Sequence, residues 1–326
     1  MKTYGKLIRV FSAAALLLTG LVVNTAVADD TIRMGSRLEF YDVVYREGGF
    51  DKKYGLKAEG VPFATGVEVV TALQSGEIDI ASSGHVPMTV LLSKTDTVMV
   101  VATAAYNKGS IYRMVVGKDT NYKTIDDLKG KVVATKLGSG SYKAFSSYLA
   151  AKGLSEKDFQ IKNAGPGAIV GAMQAGSVDA GIWFEPTISL ILHKGFGRVL
   201  LDFDGHAIFQ VHWLVNRKFA EAHPDRVARF LAGAMDAQEM LVKDPKEAAA
   251  LIAKGYQARG RDYPAGVFEL GIPLINFDPA ITDEHLKEIK GTFDFLKKAG
   301  RVRGDEPDWQ SMITTKYLAE AQKLRK

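Results

Sequence analysis

The chain has 326 residues, 47% of them hydrophobic and 24% charged, with 42 basic against 37 acidic side chains and no cysteine. That length and apolar content suit two domains with sizeable cores, and the lack of cysteine excludes a disulfide framework and a lipid-attachment thiol. The formal charge of +5 drops to +2 without the three basic residues of the leader described next. No long basic run is present, so the charge pattern gives no nucleic-acid surface.

Residues 1–28 read as an export signal. Lys2, Lys6 and Arg9 form a positive start, and residues 10–23 form an apolar stretch shorter than the ~20 residues of a membrane span. Ala26-Val27-Ala28 offers the small-x-small cleavage pattern. An uncleaved anchor is the alternative. Cleavage would leave a periplasmic protein with no stable membrane insertion.

The remaining chain opens with a strand over 31–36 that runs into a turn, and 57–61 is the next strand. Thr65 and Glu68 have capping-box spacing, so a helix starts there and ends near Gly76. A strand over 78–81 follows, then residues 82–87 lead into another helix. Residues 97–102 and 111–116 complete the strands of this cycle. A second cycle begins with a short helix over 125–129 stopped by Gly130. It continues with a strand over 131–135, a turn over 137–141 and a helix over 142–152 ended by Gly153.

Residues 170–180, VGAMQAGSVDA, then repeat residues 70–80, VTALQSGEIDI. Val70/Val170, Ala72/Ala172, Gln74/Gln174, Gly76/Gly176 and Asp79/Asp179 recur at identical offsets. Each copy reads as a helix end, a glycine able to take the left-handed conformation, and a strand. Alternating strands and helices predict sheets covered on both faces. The echo predicts two similar α/β lobes, and a cleft between lobes is where a small ligand binds. From about Val211 the pattern becomes helical, with helices over 224–242, 245–254, 282–299 and 308–326.

Three turns at strand ends carry the candidate chemistry. In Gly138-Ser139-Gly140-Ser141-Tyr142 the glycines admit close approach, the helix start offers unpaired amides, and the serines add donors. That combination favours an anion such as a sulfonate, carboxylate or phosphate. Gly35-Ser36 and Ser83-Gly84-His85 occupy matching strand ends, and such ends converge on one crevice. The candidate ligand-binding residues are Ser36, Arg37, Tyr41, Gly84, His85, Ser139, Gly140, Ser141, Tyr142, Trp183 and Glu185. Either nitrogen of His85 can donate to an oxyanion, and Arg37 is a further anion partner. Trp183 with Tyr41 would cover an apolar tail, and Glu185 either holds a ligand donor or caps a helix.

Catalytic and cofactor motifs fail on inspection. The 138–143 turn lacks the Gly-Lys-Ser/Thr of a P-loop, and Lys143 stands where a dinucleotide fingerprint needs Gly or Ala. Six scattered histidines form no HExxH pair, and no GxSxG elbow is present. No catalytic residue, metal ligand or cofactor is therefore expected. Asp79 and Asp179 suit structural hydrogen bonding better than catalysis.

Several segments resemble the periplasmic solute-binding proteins of ABC importers in the aliphatic sulfonate, taurine and nitrate group. These are 73–79 (LQSGEID), 127–132 (DLKGKV), 174–180 (QAGSVDA) with Trp183 and Pro186, and 213–224 (WLVNRKFAEAHP). The resemblance implies a type II two-lobed binding fold, each lobe a mainly parallel sheet flanked by helices, with two crossing segments. It implies a first lobe of 29–113 plus 217–326, a second of 114–216, and crossings near 113–118 and 211–217. It implies a monomer that hands its ligand to a permease driven by an ATPase subunit, with anion loops at Gly84-His85 and 139–142. Relatives often carry Ser or Thr where Gly140 stands, and taurine binders carry an acidic residue where Val211 stands. The resulting expectation is capture of a small organic anion, a sulfonate first, by hinge closure. A neutral heterocycle such as a pyrimidine precursor, or an aromatic acid, is the alternative ligand. An exported hydrolase would need a nucleophile–base pair that the sequence does not display.

Overall fold

The computed structural model describes residues 30–326, so the expected export leader lies outside the described residues. The strands are β1 (Thr31–Ser36), β2 (Lys57–Pro62), β3 (Ile80–Gly84), β4 (Val98–Asn107), β5 (Arg113–Gly117), β6 (Val132–Thr135), β7 (Gln160–Asn163), β8 (Ala180–Trp183), β9 (Gly197–Asp202) and β10 (Phe209–Asn216). The first seven helices are α1 (Phe40–Glu47), α2 (Phe50–Lys53), α3 (Gly66–Ser75), α4 (His85–Leu92), α5 (Gly140–Ala151), α6 (Pro166–Gln174) and α7 (Thr187–His193). The chain ends in α8 (Arg217–Ala222), α9 (Pro224–Lys243), α10 (Pro245–Gln257), α11 (Ala265–Gly271), α12 (Asp283–Lys298), α13 (Trp309–Met312) and α14 (Lys316–Leu324).

Two five-stranded sheets form, in the orders β2-β1-β3-β10-β4 and β7-β6-β8-β5-β9. In the first, β1 runs parallel to β2 and β3, while β10 opposes β3 and β4. In the second, β6 runs parallel to β7 and β8, while β5 opposes β8 and β9. Each sheet is therefore mixed, with four strands in one direction and one against them. The expected two-sheet α/β architecture is what forms.

The echoed segments occupy equivalent places, α3–β3 in one sheet and α6–β8 in the other. Both helices end on left-handed glycines, Gly76 at φ 76° and Gly176 at φ 63°. Gly76 N–H donates to Leu73 O at 3.2 Å and Glu77 N–H to Ala72 O at 3.0 Å; Gly176 and Ser177 repeat this on Met173 and Ala172 at 3.1 and 2.9 Å. This paired pattern is the Schellman ending, which satisfies the last helical carbonyls. Asp79 and Asp179 then clamp the neighbouring strand. Each backbone N–H donates to a carbonyl there, Arg33 O or Val132 O, at 2.9 Å. Each carboxylate accepts the matching amide back, Arg33 N at 2.8 Å and Val132 N at 2.9 Å.

Two expectations need correcting. Residues 209–216, assigned to the second lobe, with a crossing near 211–217 and a helical pattern from about Val211, form β10 at the heart of the first sheet. Every residue of Phe-Gln-Val-His-Trp-Leu-Val-Asn is buried there. A strand covered on both faces shows no alternation, so its period does not announce it. The chain thus crosses to the second sheet between β4 and β5, and returns between β9 and β10. The expected single helix over 308–326 is also broken in two. Ile313 bridges to Val100 and Thr314 N–H donates to Val100 O at 2.9 Å, so the backbone is extended at that point.

Aromatic rings anchor the first sheet. Trp213 on β10 meets the edge of Tyr41 at 5.2 Å and of Phe230 on α9 at 5.0 Å, and is wholly buried. The same apolar cluster includes Phe145 and Ile182 of the second half, so the seam between the sheets is packed. Among the described residues, no helix is long and apolar enough to cross a membrane.

Candidate functional site

Two strand-to-helix turns define the candidate site. At the start of α5, Ser139 Oγ accepts the Tyr142 N–H at 3.2 Å. The earlier amides of a helix have no partner within it and point outward. A Cβ on Gly140 would lie 2.2 Å from the Tyr112 hydroxyl, so that hydroxyl occupies the space a side chain would take. Ser141 is fully buried and its Oγ has no hydrogen-bond partner. A buried hydroxyl left unpaired costs stability, so its exposure to a ligand at the helix start would explain it. Tyr142 is half-buried and donates to Glu156 Oε2 at 2.6 Å, which ties it away from the turn.

At the start of α4, Gly84 is extended and has open space on the side where a Cβ would stand. His85 is buried, with Nδ1 3.3 Å from the Gln210 carbonyl. A carbonyl only accepts, so Nδ1 carries the proton. Burial, helped by the nearby Lys143 charge, holds the ring well below its ordinary basicity and hence neutral. Nε2 is then a bare acceptor with no hydrogen bond. The expectation that His85 donates to an oxyanion is corrected accordingly: its one proton already serves Gln210. Lys143 on α5 ion-pairs with Glu288 on α12, and the same Glu288 oxygen lies 3.6 Å from His85 Nε2. This contact draws the two turns toward one another.

The β1–α1 turn is largely satisfied by its own residues. Ser36 Oγ accepts Leu38 N–H at 3.4 Å, and the Arg37 guanidinium pairs with Glu39 at 3.1 Å. Burial raises the Glu39 carboxyl above its usual range, and Arg37 opposes the rise. Arg37 Nε remains buried without a partner. Tyr41 donates its hydroxyl to Ser82 Oγ at 3.0 Å.

At the seam, Glu39, Tyr41, Ala105 and Phe209 of the first half face Phe184 and Glu185 of the second across a cavity of about 10 Å³. That is room for about one water. Glu185 Oε2 accepts Ser189 N–H at 3.1 Å, while Oε1 lies 3.5 Å from the Arg113 guanidinium and makes no hydrogen bond. Burial raises the Glu185 carboxyl, against the pull of Ser189 and Arg113. Trp183 does not line this cavity. It stacks on Phe184 at 5.1 Å and 19°, and packs against the core of the second sheet.

The structure thus brings Tyr41 and Glu185 to one cavity, and links His85 to the Ser139–Ser141 turn through Lys143 and Glu288. Tyr112 joins the two regions, since its ring meets Phe184 at 6.0 Å and Phe209 at 5.8 Å while its hydroxyl covers Gly140. Ser36, Tyr142 and Trp183 are engaged elsewhere. Sequence reasoning missed Glu39, Tyr112, Lys143, Phe184, Phe209 and Glu288. Lys143 alone carried a signal, because a cation in the first turn of a helix opposes the dipole and needs another reason.

Such an arrangement defines a class: a two-sheet α/β protein whose halves meet at a closed, largely apolar seam that holds two buried carboxylates. The chain belongs to the family described as NMT1/THI5 like, whose pattern matches residues 42–248. It is 26% identical over 303 residues to the taurine-binding periplasmic protein of Escherichia coli (strain K12), across 88% of this chain and 92% of that protein. Its fold is similar to the periplasmic aliphatic sulphonate binding protein SsuA from Escherichia coli, with TM-score 0.73 and 25% identity, covering 87% of this chain and 92% of that one. It is also similar to the alkanesulfonate-binding protein SsuA from Xanthomonas axonopodis pv. citri, solved bound to MOPS. There the TM-score is 0.74 at 21% identity, over 87% of this chain and 98% of that one.

Proposed function

We propose that this chain is the periplasmic substrate-binding component of an ABC importer and captures a small organic anion, a sulfonate first, between its two halves. The observation that carries the reading is the start of α5, where Ser141 Oγ is buried and unpartnered beside outward-facing amides. A helix N-terminus favours negative charge by about 0.3–1 kcal/mol at exposed sites and more when partly buried. The relatives named for taurine and sulfonate binding supply the ligand class. The proposed lobes are the first sheet with α1–α4 and α8–α14, and the second sheet with α5–α7. Tyr41, Phe184 and Phe209 would enclose the ligand body, and Gly84 would let it approach α4. Because the cavity at the seam has room for only about one water, entry there requires the halves to separate, and ligand contacts to both would favour reclosure. The signal-directed export, the monomeric state and delivery to a permease and ATPase complete the proposal.

Calorimetric titration of unfolded-and-refolded protein tests it, since refolding strips any co-purified ligand. Ethanesulfonate or MOPS should bind with an affinity that falls as salt rises. Ser141→Ala should weaken binding by about tenfold, the scale of one hydrogen bond to a charged group. Salt-insensitive binding of an uncharged pyrimidine, with no response to either sulfonate, would overturn the anion reading. Turnover of a bound compound would replace binding by catalysis.

A further inference from the structure

The Glu288 carboxylate meets a cation on the helix whose start forms the proposed anion site. Its Oε1 contacts Lys143 Nζ, accepts the Thr292 hydroxyl at 3.3 Å and lies 3.6 Å from His85 Nε2. Lys143 Nζ also donates to Thr292 Oγ1 at 3.1 Å. Both charged side chains are largely buried, at 14% and 18% exposure. Lys143 projects from the first turn of α5, two residues after the orphan Ser141 hydroxyl, and Glu288 reaches it from a helix that packs on α4. A lysine there opposes the helix dipole, so its placement is explained by an acid it must meet. The present partner is an imperfect one. A carboxylate oxygen and the bare Nε2 of a neutral imidazole are both acceptors, and no hydrogen joins them.

Resting on the anion reading above, we propose that Glu288 is a built-in substitute for the ligand's acidic group, and that Lys143 is a ligand-binding cation released when the ligand displaces Glu288. A tethered carboxylate competes as an intramolecular ligand, at an effective concentration of roughly millimolar for short flexible links. Removing it therefore raises apparent affinity without adding a contact. This separates the proposal from a simple closing latch. In a latch, Lys143–Glu288 would hold the halves together around the ligand, and losing Glu288 would weaken binding.

Titration calorimetry with ethanesulfonate and MOPS on refolded full-length protein decides between them, with thermal melts to establish that each variant folds. Glu288→Ala should bind at least fivefold more tightly than wild type, and Lys143→Met at least fivefold more weakly. The double variant should match Lys143→Met, because without the lysine there is nothing for Glu288 to block. Weaker or unchanged binding in Glu288→Ala, with wild type binding normally, would overturn this proposal and leave the anion reading intact. No binding of either sulfonate by wild type or any variant would overturn both.

Discussion

At the residue scale, the tightest constraint on the α5 turn is one hydroxyl. An alanine Cβ at position 140 would stand 2.2 Å from Tyr112 Oη and 3.0 Å from the ring carbon that bears it. The ring cannot simply retreat, since Phe184 and Phe209 flank it. Gly140→Ala should cost about 1–3 kcal/mol, the usual penalty of overpacking a close-fitted site. Tyr112→Phe removes the nearest atom, so Gly140→Ala in that background should cost much less. Urea melts of the four proteins in a double-mutant cycle check this, and strictly additive effects would show that the hydroxyl is not the obstacle. The glycine was legible in the sequence as a point of close approach, read there as room for a ligand rather than for a tyrosine hydroxyl. Its partner was not, because residues 108–112 have no periodicity that would assign Tyr112 a direction. His85 shows the same division. Its presence at a strand end was readable, but its free nitrogen depends on a carbonyl 125 positions away.

At the element scale, the echoed unit is a connector rather than a site. Helix, left-handed glycine and aspartate together fasten one parallel strand to the start of the next, once in each sheet. Asp79→Ala strands the Arg33 amide and Asp179→Ala strands the Val132 amide and the Tyr122 hydroxyl, which donates to the second carboxylate at 2.7 Å. Each replacement should cost about 1–3 kcal/mol. The two costs should add, because the sites lie in separate sheets. Sulfonate affinity should stay within about twofold in both, measured by titration beside denaturant melts; a tenfold loss would return these aspartates to the ligand site. Elements with strong local codes were readable: the α3 capping box, the glycine stops and the repeated helix–strand unit. The edge strands of the second sheet were not. β7 is Gln-Ile-Lys-Asn with only Ile161 half-buried, so one apolar residue must stand for a whole strand. β10 failed for the opposite reason, since uniform burial leaves no alternation, and its sheet is chosen by partners more than a hundred residues earlier.

At the scale of the whole molecule, buried titratable groups pull stability in opposite directions with pH. Asp42 is wholly buried beside Arg37 and Glu39, and burial, then Glu39, pushes its pKa up to about 7. A carboxyl raised on folding binds more protons folded than unfolded, so its contribution is present at low pH and is lost as pH rises from about 4 toward 7. The histidines under the first sheet act the other way. His212 is pushed down to about 3 by burial, then by His285, whose ring lies 5.7 Å away; His85 and His285 are also lowered. A histidine lowered on folding binds more protons unfolded, so it costs stability progressively as pH falls below about 6.5. Between pH 4.5 and 6.5 both sets operate and offset one another. Removing one member of either set should expose the other. Asp42→Asn takes away a contribution that falls with pH, so its stability should rise more steeply with pH than that of wild type. His212→Gln takes away one that rises with pH, so its stability should slope the other way relative to wild type. One uncompensated proton corresponds to about 1.4 kcal/mol per pH unit, well within reach of urea melts at pH 4.5, 5.5 and 6.5. The wild-type slope should lie between the two variants; parallel slopes in all three would mean that neither group changes its proton affinity on folding.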